Sequence, residues 1–119
     1  MVEIKIFQNS SHSESHDPGE VLFREGDGAV DAMFAVVEGE VELSLHGKCI
    51  ETVGPGGILG EMALIDSGPR SATATALTAV RVVPVDADQF KYLVQDHPTF
   101  ALQVMKVMVE RLRKTNNAI

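Results

Sequence analysis

Long hydrophobic runs are missing from this 119-residue chain. None approaches the roughly 18 residues that a membrane span needs, and the opening Met-Val-Glu-Ile-Lys carries no signal-peptide pattern. The expected location is therefore the cytoplasm. Cysteine is almost absent: Cys49 alone cannot close an intrachain disulfide and has no Cys or His partner at metal-ligand spacing, so it reads as a small strand residue. Basic surface is scarce too. The net charge is −7 and no Lys/Arg stripe is interleaved with aromatics, which argues against a nucleic-acid surface. A small anion stays possible, because one shielded arginine with several backbone N–H groups outweighs distant negative charge. Catalytic groupings are missing as well, whether Ser, His and Asp or paired carboxylates, and no enzyme is expected. His12 and His16 sit in a polar stretch without a helical apolar pattern, and His46 falls at an outward turn. They read as solvated residues, not as a cupin-like metal site, so neither a metal nor a cofactor is expected.

Apolar residues make up 45% and charged residues 23%, which fits one globular domain over residues 1–119. Val2–Phe7 reads as a short strand, and the Ser-rich residues 9–20 as a loop. Val21–Arg24 and the nearly all-apolar Met33–Val37 follow as strands, the latter expected to be buried on both faces. Glu38-Gly39 then makes a tight turn into Val41–Leu45, the clearest hairpin expected in the chain, whose alternation sends Val41, Leu43 and Leu45 inward. Cys49–Val53, Ala72–Leu77 and Val80–Val85 continue the pattern. After Val85 the period changes. Asp86 with Gln89 forms a capping box for a helix ending near Asp96, and Pro98 opens another running to about Lys114. On that last helix Leu102, Met105, Val109 and Leu112 mark one apolar face, which reads as packing on the barrel, and Ala101, Val104 and Met108 a second, which reads as a possible homodimer face. The expected fold class is α+β, mainly β: an eight-stranded jelly-roll-like β-roll over about residues 2–85, then C-terminal helices over about 86–114.

Between the strands ending at Val53 and starting at Ala72, alternation stops and glycines crowd. Gly54, Gly56, Gly57 and Gly60 permit positive φ and close backbone approach, as an anion-binding nest requires. Residues 61–65 suffice for about one helical turn, whose first N–H groups lack internal partners. Gly68-Pro69 bends the chain back so that Arg70 can pair bidentately with phosphate oxygens. Glu61 is acidic and cannot bind phosphate, but its carboxylate can accept from a ribose hydroxyl. A triphosphate is not expected, because no Walker loop with its lysine occurs.

The run GEMALIDSGPRSATA (60–74) strongly resembles the phosphate-binding cassette of cyclic nucleotide-binding domains in catabolite-activator-type regulators, cyclic-nucleotide-gated channels and regulatory subunits of cyclic-AMP-dependent kinase. GEVLFREGD (19–27) and FAVVEGEVEL (34–43) resemble the early barrel strands of that family. The resemblance covers roughly residues 18–114 and implies a binding module for cAMP or cGMP, with cAMP favoured. It implies that Arg70 pairs with the cyclic phosphate and Glu61 with the ribose 2′-hydroxyl, while Gly60, Met62, Ala63, Ser71 and Ala72 line the phosphate. The base is expected against Val53 and Leu59, capped from the last helix by Met108 or Arg111. The family's usual helical segment before the barrel is replaced here by a short Ser-rich stretch, and no effector segment follows the last helix, so output is expected in trans on a partner protein. The alternative is a scaffold or oligomerisation domain that has lost its ligand.

Overall fold

A computed structural model of the protein describes residues 3–28, 32–65 and 68–117. Strands β1 (Glu14–His16), β2 (Val21–Phe23), β3 (Ala32–Glu38), β4 (Val41–Leu45), β5 (Lys48–Val53), β6 (Ile58–Leu59), β7 (Thr73–Ala76) and β8 (Val80–Asp86) form two four-stranded antiparallel sheets. Their orders are β1-β8-β3-β6 and β2-β7-β4-β5, the jelly-roll-like arrangement expected. Helices α1 (Met62–Ile65), α2 (Ala87–Asp96) and α3 (Pro98–Asn117) complete the chain.

The first sheet is covered on both faces, which explains the unbroken apolar run in β3. Val36 of β3 and Val80 and Val82 of β8 meet Val41, Leu43, Val53, Ala74 and Ala76 of the second sheet. Met33, Ala35 and Val37, with Val83 and Val85, instead face Phe100, Val104 and Val107 of α3 together with Ile4 and Phe7. Alternation along a pleated strand supplies both sets at once. The β3–β4 turn depends on Gly39: its φ is +83°, and a Cβ there would lie 2.2 Å from the Ala79 carbonyl oxygen.

Four expectations about the roll need correction. The Glu38-Gly39 turn closes no hairpin: β3 pairs with β8 and β6 in the first sheet and β4 with β7 and β5 in the second, so the turn carries the chain from one sheet to the other. The described part of Val2–Phe7 is irregular chain and turn, Val2 itself lying outside the described residues. Ile4 and Phe7 are both buried, and a spacing of three reaches one side of a turn where a strand would have split them. The Ser-rich loop contains β1, paired with β8 through Glu14↔Val82 and His16↔Val80. Leu45 is 36% exposed, because it lies past the last β4–β7 pair, Ser44↔Thr73.

Helix α2 ends at Asp96 and α3 opens at Pro98 as expected, but α3 runs on to Asn117, past the expected Lys114. The Asp86 carboxylate accepts from the Gln89 N–H at 2.9 Å, and the Gln89 side chain accepts from the Asp86 N–H at 3.0 Å, so the capping box is complete. The faces of α3 are reversed. Phe100, Val104 and Val107 pack on the roll with Met108 partly buried, whereas Leu102, Met105, Val109 and Leu112 point to solvent. Both stripes are apolar at helical spacing, so only contact with the sheet distinguishes them. Among the described residues no helix is long and apolar enough to cross a membrane.

Candidate functional site

The glycine-rich segment folds against the first sheet. Strand β6 pairs with β3 at Phe34↔Leu59 and Ala35↔Ile58, and the chain then turns at Gly60, whose φ is +73°. Gly56 is also in the left-handed region, whereas Gly54 and Gly57 are not. A Cβ at Gly60 would stand 2.5 Å from Arg70 Nη1, so side-chain absence there is what lets the arginine in. Arg70 is 6% exposed. Its Nη1 donates to the Gly60 carbonyl at 3.2 Å, its Nη2 to the Ala32 carbonyl at 2.8 Å, and its guanidinium lies 4.3 Å from the Phe23 ring centroid. The Arg70 backbone is tied down as well, donating to Asp27 O at 2.9 Å and accepting from Gly26 N at 2.8 Å. A cation is thereby fixed beside the start of α1 by three separate segments.

Glu61 follows Gly60 directly and is 3% exposed. A carboxylate this deep requires a partner. Among the ion pairs of the described residues that partner is Arg111 of α3, whose Nη1 donates to Glu61 Oε1 at 2.5 Å. Arg111 also donates from Nε and Nη2 to the two carboxylate oxygens of Glu51, at 3.0 and 3.3 Å, and from Nη2 to the Ile58 carbonyl. Burial by itself would lower the Arg111 pKa; attraction to Glu61, and then to Glu51, outweighs it and raises the pKa above its ordinary value.

The chain thus gathers Gly60, Glu61, Ala63 and Arg70 at one end of the first sheet. The Ala63 N–H donates to Gly60 O at 3.2 Å. Ala72 is buried, while Met62 and Ser71 are exposed. Of the four residues expected around a base, Val53 and Leu59 lie within the core between the sheets and Met108 packs beside the α3 cluster. Arg111 is the one bonded to the cassette. Two contributors escaped the sequence reading. Glu51 pairs across from Leu43 and so shares its inward face; the alternation of β5 carried that signal, but a lone Glu in a strand did not draw notice. Phe23 beneath Arg70 gave no signal in sequence, being remote along the chain. His16, by contrast, bonds Glu14 and Glu20, and among the described residues no group of three or more His, Cys, Asp or Glu side chains is arranged to hold a metal ion.

The family model described as "Cyclic nucleotide-binding domain" matches residues 13–97. The chain belongs to that family. This cyclic nucleotide-binding domain is 32% identical over 104 residues to a CRP-like cAMP-activated global transcriptional regulator of Mycobacterium tuberculosis, covering 83% of the chain and 46% of the regulator. It is 39% identical over 93 residues to a cyclic nucleotide-gated potassium channel of Rhizobium etli, covering 78% of the chain and 26% of the channel. The chain therefore spans less than half the length of either relative. A solved structure described as cAMP-bound PfPKA-R (141-441) superposes with a TM-score of 0.78 at 29% identity, covering 89% of this chain and 36% of that one.

Proposed function

We propose that this domain is a cyclic nucleotide sensor, with cAMP as its ligand in preference to cGMP, and that it acts in trans on a partner protein. Arg70 pairs with the cyclic phosphate, whose remaining side is lined by Gly60, Met62, Ala63, Ser71 and Ala72; Glu61 accepts from the ribose 2′-hydroxyl. The base lies toward Val53 and Leu59 under α3, with Met108 and Arg111 above it. No bond is made or broken: binding biases α3 between seated and lifted positions. The observation that carries this reading is the Arg70 guanidinium, 6% exposed yet held at the turn that presents Glu61. A fixed cation and a carboxylate side by side suit a ligand with one negative charge and one free sugar hydroxyl.

Calorimetric titration with cAMP, cGMP and 5′-AMP tests it. Cyclic forms should bind well above 5′-AMP, and Arg70→Ala should weaken cAMP by about a hundredfold, the worth of a charge-assisted bidentate contact. Equal affinity in wild type and Arg70→Ala would overturn the assignment. One observation favours a second reading, a scaffold without ligand: Arg111 already engages Glu61. A flat titration with every nucleotide would support it.

We also propose that α3 pairs with its counterpart in a second copy of the chain. The support is the exposed row Leu102, Met105, Val109 and Leu112, spaced three, four and three as in a coiled-coil seam. Sedimentation of wild type against Leu112→Glu tests the pairing, which fails if both run as monomers.

A further inference from the structure

Strand β5 carries a carboxylate where its neighbours are apolar. Val41↔Val53 and Leu43↔Glu51 are directly paired, and the two side chains of such a pair stand on one face of the sheet. Val41, Leu43 and Val53 are all in the core between the sheets, so Glu51 occupies the same inner row, one step nearer the rim. Its side chain is 19% exposed. Such a position is costly for a charge unless a cation reaches it, and Arg111 does so with a bidentate pair; Lys114, one turn further along α3, adds a weaker contact at 3.9 Å.

The same helix is held differently along its length. Its first half is seated by Phe100, Val104 and Val107, which are 1%, 2% and 7% exposed. Past Met108 the contacts to the roll run through Arg111 and Lys114 to Glu51, Glu61 and the Ile58 carbonyl. Water that enters as the helix end lifts can solvate Glu51, Glu61 and Arg111, whereas buried phenylalanine cannot leave without opening a cavity. The last turns of α3 can therefore lift while the first half stays seated.

We infer that Glu51 is a positioning residue that latches the end of α3 over the cassette, holding Arg111 against Glu61 until the helix lifts. The inference rests on the reading that Glu61 serves the ribose, because it is this carboxylate that Arg111 occupies. A nucleotide reaching or leaving Glu61 then has to pass a closed latch. Glu51 sets how often it opens, while Arg70 and Glu61 set how tightly the ligand is held.

Glu51→Gln keeps the shape and removes the charge. In stopped-flow experiments with a fluorescent cAMP analogue, association and dissociation should both speed up, by about threefold to tenfold, while Kd moves much less. A residue that merely supported the sheet would alter Kd or stability without this paired change in rates. Backbone hydrogen exchange of the nucleotide-free protein gives a second readout: amides of residues 110–114 should exchange about tenfold faster in Glu51→Gln, and those of residues 99–104 should be unchanged. Arg111→Gln is the second variant and should give the same exchange pattern. Unchanged exchange in both variants overturns the latch. Faster exchange with a wild type that binds no cyclic nucleotide leaves the latch standing and removes the proposed function, so the two failures are distinguishable.

Discussion

Arg70 in the cassette and Arg111 on α3 are both guanidinium groups drawn inward, yet the two regions support them by different means. The cassette uses the Gly60 and Ala32 carbonyls and the Phe23 ring, whereas α3 meets the carboxylates of Glu51 and Glu61. Carbonyls next to β6 and β3 are positioned by the backbone, so the location of Arg70 is settled once the sheet forms. Carboxylates end rotatable side chains, so the sheet alone does not fix the place of the cation they hold. A backbone-held cation suits a permanent binding point; one held by side chains at a helix end suits a moving part. On the proposed function, the difference separates what recognises from what responds.

That contrast can be broken from either side. Phe100→Ala should do most damage, removing a ring that is 1% exposed and contacts both Phe7 and Phe90. A loss of about 3–5 kcal/mol is expected in denaturant titration. If the two regions are as separable as described, the surviving folded protein keeps its cassette geometry. Gly60→Ala attacks the other side, forcing a methyl toward Arg70 Nη1 at a φ of +73°. A stability cost of about 1–2 kcal/mol, with cAMP affinity down at least about tenfold, is expected by melting and calorimetry. Wild-type affinity in that variant would mean that the cassette tolerates a shifted arginine. Asp86→Ala removes half of the capping box ahead of α2 and should cost about 1 kcal/mol without altering nucleotide affinity.

The smallest effect lies outside both regions and serves as their control. Burial by itself would lower the His16 pKa, but bonds to Glu20 and Glu14 outweigh it and hold the value above the ordinary 6.5. Glu20 is in turn held below its ordinary 4.5 by His16. The stabilisation from His16 is therefore complete below about pH 6.5 and fades as the pH rises through its raised pKa; that from Glu20 is complete above about 4.5 and fades as the pH falls. A shallow optimum in melting temperature between those two values is expected, and His16→Gln should flatten its alkaline side. Nucleotide affinity should not follow the same curve.

Much of the roll was legible along the chain. The turn at His46-Gly47 between β4 and β5, the doubly apolar β3 and the Asp86/Gln89 box each depend on neighbours within a few residues, where pattern and propensity act directly. The hairpin expected across Glu38-Gly39 failed, because adjacency along the chain does not say which sheet each strand joins. The cassette's sharp turn was legible for the same reason, since glycine at 60 and arginine at 70 belong to one short segment. The eighth strand was harder. Ile58–Leu59 is two residues long and becomes a strand only because β3 offers its edge. The faces of α3 were read in reverse because two apolar stripes on one helix are equivalent until a sheet is brought against one of them.

By itself, the sequence determined the strand periods, the start of each long helix and the presence of a carboxylate and a guanidinium nine residues apart in one glycine-rich segment. Only the tertiary structure decided that Glu61 meets Arg111 and that Glu51, sixty positions before that arginine, meets it too. Charges placed so far apart along the chain acquire partners through the closing of the roll and the seating of α3, and neither event leaves a local mark on composition or spacing.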